Sequence, residues 1–388
     1  MTRYDFTTQP NRLDQNTMKW HEAESNPELL ELWVADMDFL PVPEIRDAVI
    51  NYAETHIFGY PYPSEELYQS IINWEKNQHG YVVDKESIVL IEGVVPAIST
   101  AIQAFTKEGD AVLINTPVYP PFARSVRLNN RRLIENSLVK VNGHFEIDFE
   151  QLERDIVEND VKLYVFCSPH NPGGRVWTKE ELTKVADLCQ KHGVLLVSDE
   201  IHQDLALFGH KHQSFNTVNE DFKEFSLILS SATKTFNIAG TKNSYAIIEN
   251  PKLRLAFQKR QLANNQHEIS GLGYLATEAA YRYGEGWLTE LKELIEKHIN
   301  YVADVFGKET KIKVMKPQGT YLLWLDFSAY DISDEELRKL LRDEAKVILN
   351  RGLDFGEEGA LHARLNVAMP TSILEEVCQR IIATFSNL

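Results

Sequence analysis

The sequence predicts an α/β protein with a large domain built on a mostly parallel sheet and a smaller α+β domain. Between about residues 65 and 250, helical patterns alternate with short apolar runs of strand length, and this alternation is typical of βαβ units. The chain has 388 residues, which is more than one hydrophobic core usually supports, so two domains are expected.

Helix signals mark the start of the alternating region. A helix is predicted over 65–79, because Ser64 and two glutamates open it and Gly80 follows its last residue. A second helix is expected from near Pro96 to Gly109, since proline is favoured in a first helical turn and glycine after a last one. An apolar run follows each helix, as a βαβ unit requires.

Two further helices repeat this arrangement. The segment D-F-E-Q-L-E-R-D-I-V at 148–157 precedes an apolar run, and T-K-E-E at 178–181 is a capping box that opens a helix. The apolar face of that last helix carries Leu182, Val185, Ala186 and Cys189. The strands between the helices are predicted at 88–91, 111–114, 162–167, 194–198 and in the run E-F-S-L-I-L, which ends near Ser230.

The last part of the chain predicts the smaller domain. Helical patterns run from about 268 to 306, and the apolar runs T-Y-L-L-W-L-D and A-R-L-N-V-A-M then flank a capping box at 333–336 before a final helix. No linker or repeat separates this unit, so we expect the N-terminal segment to join it. The predicted boundaries are 49–285 for the large domain and 1–48 with 286–388 for the small domain and its N-terminal arm.

Charge and cysteine content argue against several classes of protein. Lys and Arg total 40 against 57 for Asp and Glu, a net charge of −17, so no nucleic-acid partner is expected. The three cysteines, Cys167, Cys189 and Cys378, form no C-x-x-C motif and suggest neither a disulfide framework nor a zinc ribbon. No apolar run reaches signal-peptide or membrane-span length, so we expect a cytoplasmic protein without a membrane partner.

Polar residues follow three predicted strands at the point where each strand ends. Asn171 lies in the turn S-P-H-N-P-G-G-R, Asp199 begins D-E-I-H-Q-D, and Lys234 lies in S-S-A-T-K-T-F-N-I-A-G. Taken singly, each residue has an ordinary structural alternative. Asn171 could belong to a structural turn, Asp199 could form an ion pair or a helix cap, and Lys234 could pair with an acid. Together they supply an amide for a phenolic oxygen, a carboxylate for a pyridinium nitrogen and an amine for an aldehyde, which are the groups that hold pyridoxal 5′-phosphate, PLP.

On these residues, and on their order along the chain, the sequence resembles the PLP-dependent aminotransferase class I and II family, of fold type I. The resemblance runs along nearly the whole chain and implies a seven-stranded, mostly parallel sheet in the large domain. It implies that Lys234 binds the cofactor aldehyde covalently, with Ser231 and Thr233 near the cofactor phosphate. Lys242 stands where the family often has a phosphate-binding arginine, so this position keeps the charge but loses the paired donors.

The resemblance extends to the other side of the cofactor site. The backbone N–H groups of Gly93, Val94 and Val95 lie at a helix start and are expected to bind phosphate, although an ordinary strand-to-helix turn is the alternative. Tyr119 in T-P-V-Y-P-P matches the aromatic residue that stacks on the ring, and is otherwise a core residue. Tyr60 in F-G-Y-P-Y-P resembles the tyrosine that reaches the phosphate of a neighbouring subunit, which implies a homodimer with a shared active site.

The expected substrate site lies near the C-terminus. A-R-L-N-V-A-M resembles the family's R-[FIL]-N motif, which implies that Arg364 binds the α-carboxylate of an amino-acid substrate. The backbone at Ala35, in W-V-A-D-M-D-F, falls where the family supplies a second carboxylate contact.

Two departures from the common aminotransferase pattern indicate a branch of the family. His202 stands where many members have the tyrosine of D-E-x-Y, and W-V-A-D-M-D-F is similar to the cystathionine β-lyase-like, carbon–sulfur lyases. Alternatively, His202 is a buried structural histidine whose ring nitrogens have hydrogen-bond partners, and D-M-D-F is a turn that anchors the N-terminal arm. The resemblance implies α,β-elimination from cystathionine or another S-substituted L-cysteine, giving pyruvate, ammonia and a thiol; the alternative activity is that of an aminotransferase.

Two other classes of protein are alternatives to a PLP-dependent enzyme. A non-catalytic regulator or binding module that keeps the fold is the first, and the intact Lys234 and Asp199 argue against it. A metal site is the second, since His202, His210 and His212 lie near Asp199 and Asp204. Their spacing matches neither H-E-x-x-H nor a zinc finger, so no metal is expected.

Overall fold

A seven-stranded sheet organises the larger part of the chain in the computed structural model, which describes residues 4–13, 15–386 and 388. The strands are β1 Leu30–Glu31, β2 Ile88–Ile91, β3 Ala111–Thr116, β4 Arg132–Ser137, β5 Val139–Val141, β6 His144–Glu146, β7 Val161–Cys167, β8 Leu195–Asp199, β9 Ser226–Ser230, β10 Ser244–Ile247, β11 Lys313–Met315, β12 Leu322–Asp326, β13 Val347–Ile348, β14 Asn350–Arg351 and β15 His362–Asn366.

Helices connect most of these strands. They are α1 His21–Ser25, α2 Pro43–Thr55, α3 Glu65–His79, α4 Val94–Phe105, α5 Pro121–Leu128, α6 Phe149–Asn159, α7 Lys179–His192, α8 Ala232–Thr235, α9 Pro251–Ala263, α10 Gly271–Tyr283, α11 Glu285–Glu309, α12 Asp334–Lys339 and α13 Thr371–Phe385. No described helix combines the length and apolar character that crossing a bilayer requires.

The large sheet has the strand order β2-β10-β9-β8-β7-β3-β4. β10 pairs antiparallel with both of its neighbours, and the remaining pairs in this sheet are parallel. The carboxyl ends of the parallel strands therefore meet at one edge, where open α/β sheets bind their ligands. The predicted α/β fold class of type I, with a mostly parallel seven-stranded sheet, is confirmed.

The two faces of the large sheet are covered by separate apolar clusters. In β3, Ala111 and Leu113 pack in one cluster and Val112 and Ile114 in the other, as the alternation of side chains along a strand requires. All six residues of β3 are buried, which is typical of a parallel strand covered by helices on both sides.

A second, antiparallel sheet has the order β11-β12-β15-β14. The N-terminal segment reaches this part of the chain, because β1 pairs in parallel with β13 through Leu30 and Val347. The predicted domain boundaries stay a prediction, and the one between residues 48 and 49 falls inside α2.

Local signals predicted most of the helix ends in the alternating region. Ser64 caps α3 through the Leu67 N–H, and Gly80 follows the helix in the left-handed conformation. Both predicted capping boxes are present, at the starts of α7 and α12.

The helix predicted to run from Pro96 to Gly109 has other bounds. It begins at Val94 and ends at Phe105. Thr106 leaves the helical conformation with φ −131° and ψ 163°, and its hydroxyl donates to the Ile102 carbonyl at 2.5 Å. The Thr106 N–H donates to the same carbonyl. Because a β-branched residue readily adopts the extended conformation, the helix ends here and does not continue to the glycine.

Candidate active site

A cavity of about 170 Å³ lies where β2, β7, β8 and β9 end. The predicted site residues that line it are Ala35, Gly93, Val94, Val95, Tyr119, Asn171, Asp199, His202, Thr233, Lys234 and Lys242. Parallel strands bring these side chains together, because their carboxyl ends share one edge of the sheet. Ser231, Arg364 and Tyr60 do not line the cavity wall.

Lys234 enters the cavity from α8, the short helix that follows β9. Ser231 caps this helix by accepting a hydrogen bond from the Thr233 N–H, so its hydroxyl acts on the helix end. The Lys234 amine donates to the Ala35 carbonyl at 2.7 Å. Burial, helped by the Arg364 and Lys242 charges, lowers the pKa of Lys234 to about 8, while Asp36 and Asp199 act in the opposite direction. A substantial neutral fraction of the amine near neutral pH follows, as nucleophilic attack requires.

Asp199, the last residue of β8, is 5% exposed. The Ile201 N–H donates to its carboxylate at 3.1 Å. Burial raises the pKa of Asp199 to about 7, although this bond and the Lys234 charge oppose the increase. A protonated ring nitrogen would supply the positive charge that favours the carboxylate form.

His202 is a neutral, buried imidazole beside the same cavity. Burial, together with the Lys234 and Arg364 charges, lowers the pKa of His202 to about 3. Among the described residues, its Nδ1 atom has no hydrogen-bond partner. Because an unpartnered buried nitrogen is costly, this atom is suited to a polar ligand in the cavity.

Asn171 connects the cavity to Arg364. Its Oδ1 accepts from the Arg364 guanidinium at 3.0 Å, and its backbone carbonyl accepts from the Tyr119 N–H at 3.2 Å. An amide whose oxygen is engaged in this way offers its N–H donors to a ligand, which suits a phenolic oxygen.

Arg364 is 3% exposed and bonds to neutral acceptors. Besides Asn171, its guanidinium donates to the Trp33 carbonyl at 2.8 Å and to the Asn350 side chain. The Phe355 ring lies beneath it, 5.0 Å from the guanidinium carbon. No ion pair to a carboxylate is present for Arg364 in the part of the chain that the structure describes, and burial lowers its pKa to about 10. A desolvated cation of this kind favours an anionic ligand.

The donor groups predicted for the phosphate lie at the starts of α4 and α8 and, for Lys242, at the end of a short turn that follows α8. Gly93 precedes α4 without a side-chain cap, so the first-turn N–H groups of Val94 and Val95 lack intrahelical partners and face the cavity they line. Thr233 and Lys242 lie along the same cavity, and Lys242 is exposed. Two backbone donors, a hydroxyl and a cation fit a phosphate dianion.

The two predicted tyrosines lie in different places. Tyr119 lines the cavity, and burial raises its pKa. Tyr60 is 95% exposed and contributes nothing to the cavity of its own chain. Its role at the phosphate of another subunit stays a prediction.

The strap, defined as residues 33–39, crosses beside the cavity. Its Asp36 and Asp38 both pair with Arg12, at 2.7 and 2.8 Å, and Asp38 also pairs with Lys19 at 2.8 Å. The D-M-D-F segment therefore anchors the N-terminal arm, as its structural interpretation predicts. At Ala35, the carbonyl accepts hydrogen bonds from Lys234 and Tyr321, so the predicted contact of the backbone with a substrate carboxylate stays a prediction.

Sequence reasoning missed two side chains that fix the strap. Tyr321 donates to the Ala35 carbonyl at 3.1 Å, and Asn237 bonds to the strap backbone. Asn237 lies three residues after Lys234 and has φ +57°, a conformation in which asparagine is enriched. The K-T-F-N sequence was thus a local signal for a special backbone position.

Of the histidines considered for a metal site, His202 lines the cavity and His212 contacts a carboxylate. His212 pairs with Glu200 at 2.9 Å, and Asp204 pairs with His79 at 2.7 Å. The described residues contain no group of three or more His, Cys, Asp or Glu side chains arranged to hold a metal ion.

The fold and the donor set together define a PLP-dependent enzyme of fold type I. A half-buried lysine, an acid for a ring nitrogen, an amide and a helix start suited to phosphate surround one cavity at the strand ends. The chain belongs to the aminotransferase class I and II family, whose model matches residues 27–381. The predicted family is confirmed.

Three relatives are similar over almost the whole chain. Cystathionine beta-lyase PatB of Bacillus subtilis (strain 168) is 40% identical, covering 98% of this chain and 100% of the relative. The structure of cystalysin from Treponema denticola, which contains pyridoxal 5′-phosphate, is 36% identical with a TM-score of 0.95 and covers 98% of both chains. The PLP-bound C–S lyase from Staphylococcus hominis is 30% identical with a TM-score of 0.92, covering 99% of this chain and 98% of the other.

Proposed function

We propose that this protein is a PLP-dependent carbon–sulfur β-lyase that converts cystathionine or another S-substituted L-cysteine into pyruvate, ammonia and a thiol. The prediction of a PLP-dependent lyase is confirmed by relatives of that name that match over nearly the full length. One observation carries the assignment to particular residues. A reactive lysine and a buried acid line one cavity, and a buried arginine without a carboxylate partner among the described residues bonds to Asn171 in the cavity wall.

The residues divide the chemistry among themselves. PLP, when bound, supplies a ring that withdraws electrons from the substrate α-carbon. Arg364 binds the substrate carboxylate and thereby orients the α-carbon, while the Asp199 carboxylate favours a protonated ring nitrogen. Lys234, whose pKa of about 8 suits proton transfer near neutral pH, takes the proton from the α-carbon. The thiolate leaves from the β-carbon, and water hydrolyses the resulting aminoacrylate to pyruvate and ammonia.

The activity is tested with purified holoprotein and a panel of S-substituted L-cysteines, including cystathionine, in the absence of any keto acid. We expect continuous release of pyruvate and thiol in equal amounts. Lys234→Ala should abolish release and remove the site of covalent PLP attachment trapped by borohydride, whereas Lys211→Ala, which changes an exposed loop lysine, should retain both. A single half-turnover that needs a keto acid to continue would assign the aminotransferase activity instead.

We also propose a homodimer in which Tyr60 completes the partner's phosphate site. Residues 57–62 support it, because Ile57, Phe58, Tyr60 and Tyr62 are 67–95% exposed, and contiguous exposed apolar residues are typical of an interface. The cytoplasmic location stays a prediction.

The shared site is tested by mixing two inactive variants, Tyr60→Ala and Lys234→Ala, after unfolding and refolding them together. Random pairing gives mixed dimers with one intact site, so activity should recover to about a quarter of the wild-type value for a two-fold dimer. If the mixture stays inactive while sedimentation shows dimers, the tyrosine does not act across the interface.

A further inference from the structure

The side-chain amide of Asn237 forms hydrogen bonds with the backbone of the strap. Its Oδ1 accepts from the Met37 N–H at 2.8 Å, and its Nδ2 donates to the Met37 carbonyl at 2.9 Å and the Phe39 carbonyl at 2.8 Å. These three bonds join the loop that follows α8 to a segment about 200 residues earlier in the sequence. Asn237 therefore couples the strap directly to the chain that carries Lys234.

Other contacts hold the strap from the opposite side. Asn366, at the end of β15, donates to the Val34 carbonyl at 2.8 Å and to the Asp36 carbonyl at 2.6 Å. The buried Lys19 amine donates to the Asp36 carbonyl at 3.2 Å. Asn366 and Lys19 hold the strap on one side and Asn237 holds it on the other, so the direction of the Ala35 carbonyl depends on both sets of contacts.

The Ala35 carbonyl receives two donors, the Lys234 amine at 2.7 Å and the Tyr321 hydroxyl at 3.1 Å. A carbonyl oxygen has two lone pairs and can accept both. The strap therefore provides a resting place for the amine, and a displaced strap would move that acceptor away from Lys234.

We propose that Asn237 is a positioning residue for Lys234. By holding the strap against α8, it places the Ala35 carbonyl where the amine of Lys234 rests whenever that amine is not covalently engaged. The inference rests on the proposed function only in taking this amine as the one that moves the substrate proton.

Four charged side chains act on the Lys234 amine. Asp36 and Asp199 favour its protonated form, and Arg364 and Lys242 disfavour it. Replacing Asn237 alters none of these four side chains. A loosened strap moves the Ala35 carbonyl away from the amine, and the loss of that acceptor favours the neutral amine.

The test is the pH dependence of Lys234 acetylation in the full-length chain after removal of PLP. Acetic anhydride is applied in short pulses across pH 6–10, and the Lys234 peptide is quantified by mass spectrometry. The midpoint of the profile reports the titration of the amine independently of its accessibility, which changes only the plateau. Asn237→Gly is the variant, because glycine adopts positive φ without strain.

We expect the midpoint to decrease from about 8 by about one unit in Asn237→Gly, so that labelling at pH 7, relative to the plateau, increases about fivefold. Asn142→Gly replaces another asparagine with positive φ, in the β5–β6 turn, and should leave the midpoint unchanged. An unchanged midpoint in folded Asn237→Gly would overturn the proposal.

Tyr321→Phe provides an independent variant that acts in the same direction. It removes one of the hydrogen bonds that fix the Ala35 carbonyl, so the carbonyl can turn away from the amine and the midpoint should fall below that of the wild type. If Asn237→Gly does not fold, this variant decides: a lowered midpoint supports the proposal, and an unchanged or higher one overturns it. Neither result depends on lyase activity, so a failed lyase assay and a failed positioning role remain distinguishable.

Discussion

Replacing Arg364 with lysine tests how the site binds a substrate carboxylate. The guanidinium is 3% exposed and donates to Asn171, Trp33 and Asn350, all neutral acceptors. Lysine keeps the positive charge but cannot offer two parallel donors to a carboxylate. The loss of one charge-assisted hydrogen bond corresponds to about 1.5–3 kcal/mol, so kcat/KM should decrease by about 10- to 150-fold.

The assay compares an S-alkyl-L-cysteine with the matching S-alkyl cysteamine, which lacks the carboxylate. Wild-type protein should favour the amino acid strongly, and Arg364→Lys should lose most of this preference because the cysteamine never used the guanidinium. Arg282→Lys, at an exposed helix position, is the control and should behave as wild type. Equal loss of rate for both compounds would refute the reasoning, because the arginine would then support the fold and not the carboxylate.

Three further changes should alter stability in defined ways. Because burial raises the pKa of Asp199 from 3.8 to about 7 in the PLP-free chain, the stabilisation that its neutral form gives is present below pH 3.8 and is lost as pH rises through 7. The stability advantage of Asp199→Asn over the wild type should therefore grow, on the order of a few kcal/mol, from pH 5 to pH 8 in urea unfolding. An advantage of the same size at both pH values would contradict this. Asp38→Asn should cost about 1–3 kcal/mol in the same assay, because the fully buried Lys19 ammonium loses its carboxylate partner at 2.8 Å and keeps only Asp36, at 3.6 Å. A cost below 1 kcal/mol would argue against a buried ion pair. Gly174→Ala should lower the thermal midpoint, because Gly174 has φ +63° and an added Cβ would lie 2.2 Å from the Pro317 side chain; an unchanged midpoint would count against this turn geometry.

The candidate catalytic residues could be predicted because local sequence patterns indicate the parallel strands of the sheet. Alternating helices and apolar strands predict parallel strands, and parallel strands bring Asn171, Asp199 and Lys234 to one edge without further information. The cavity that these three residues line lies at this edge of the sheet. Helix α4 was predicted with wrong bounds. It ends at Phe105, where Thr106 turns to the extended conformation, and a threonine is a weaker stop signal in a sequence than the glycine that follows.

The sequence by itself determined the fold class, the strand ends and the residue types available for the reaction. Only the tertiary structure decided that the Ala35 carbonyl receives Lys234, that Asn237 holds the strap, and that Arg364 lies buried without a carboxylate partner among the described residues. These contacts join residues separated by 199 to 331 positions. Periodicity and capping report on neighbours in the chain, whereas a hydrogen bond between distant segments depends on how helices and sheets pack, and no local pattern records it.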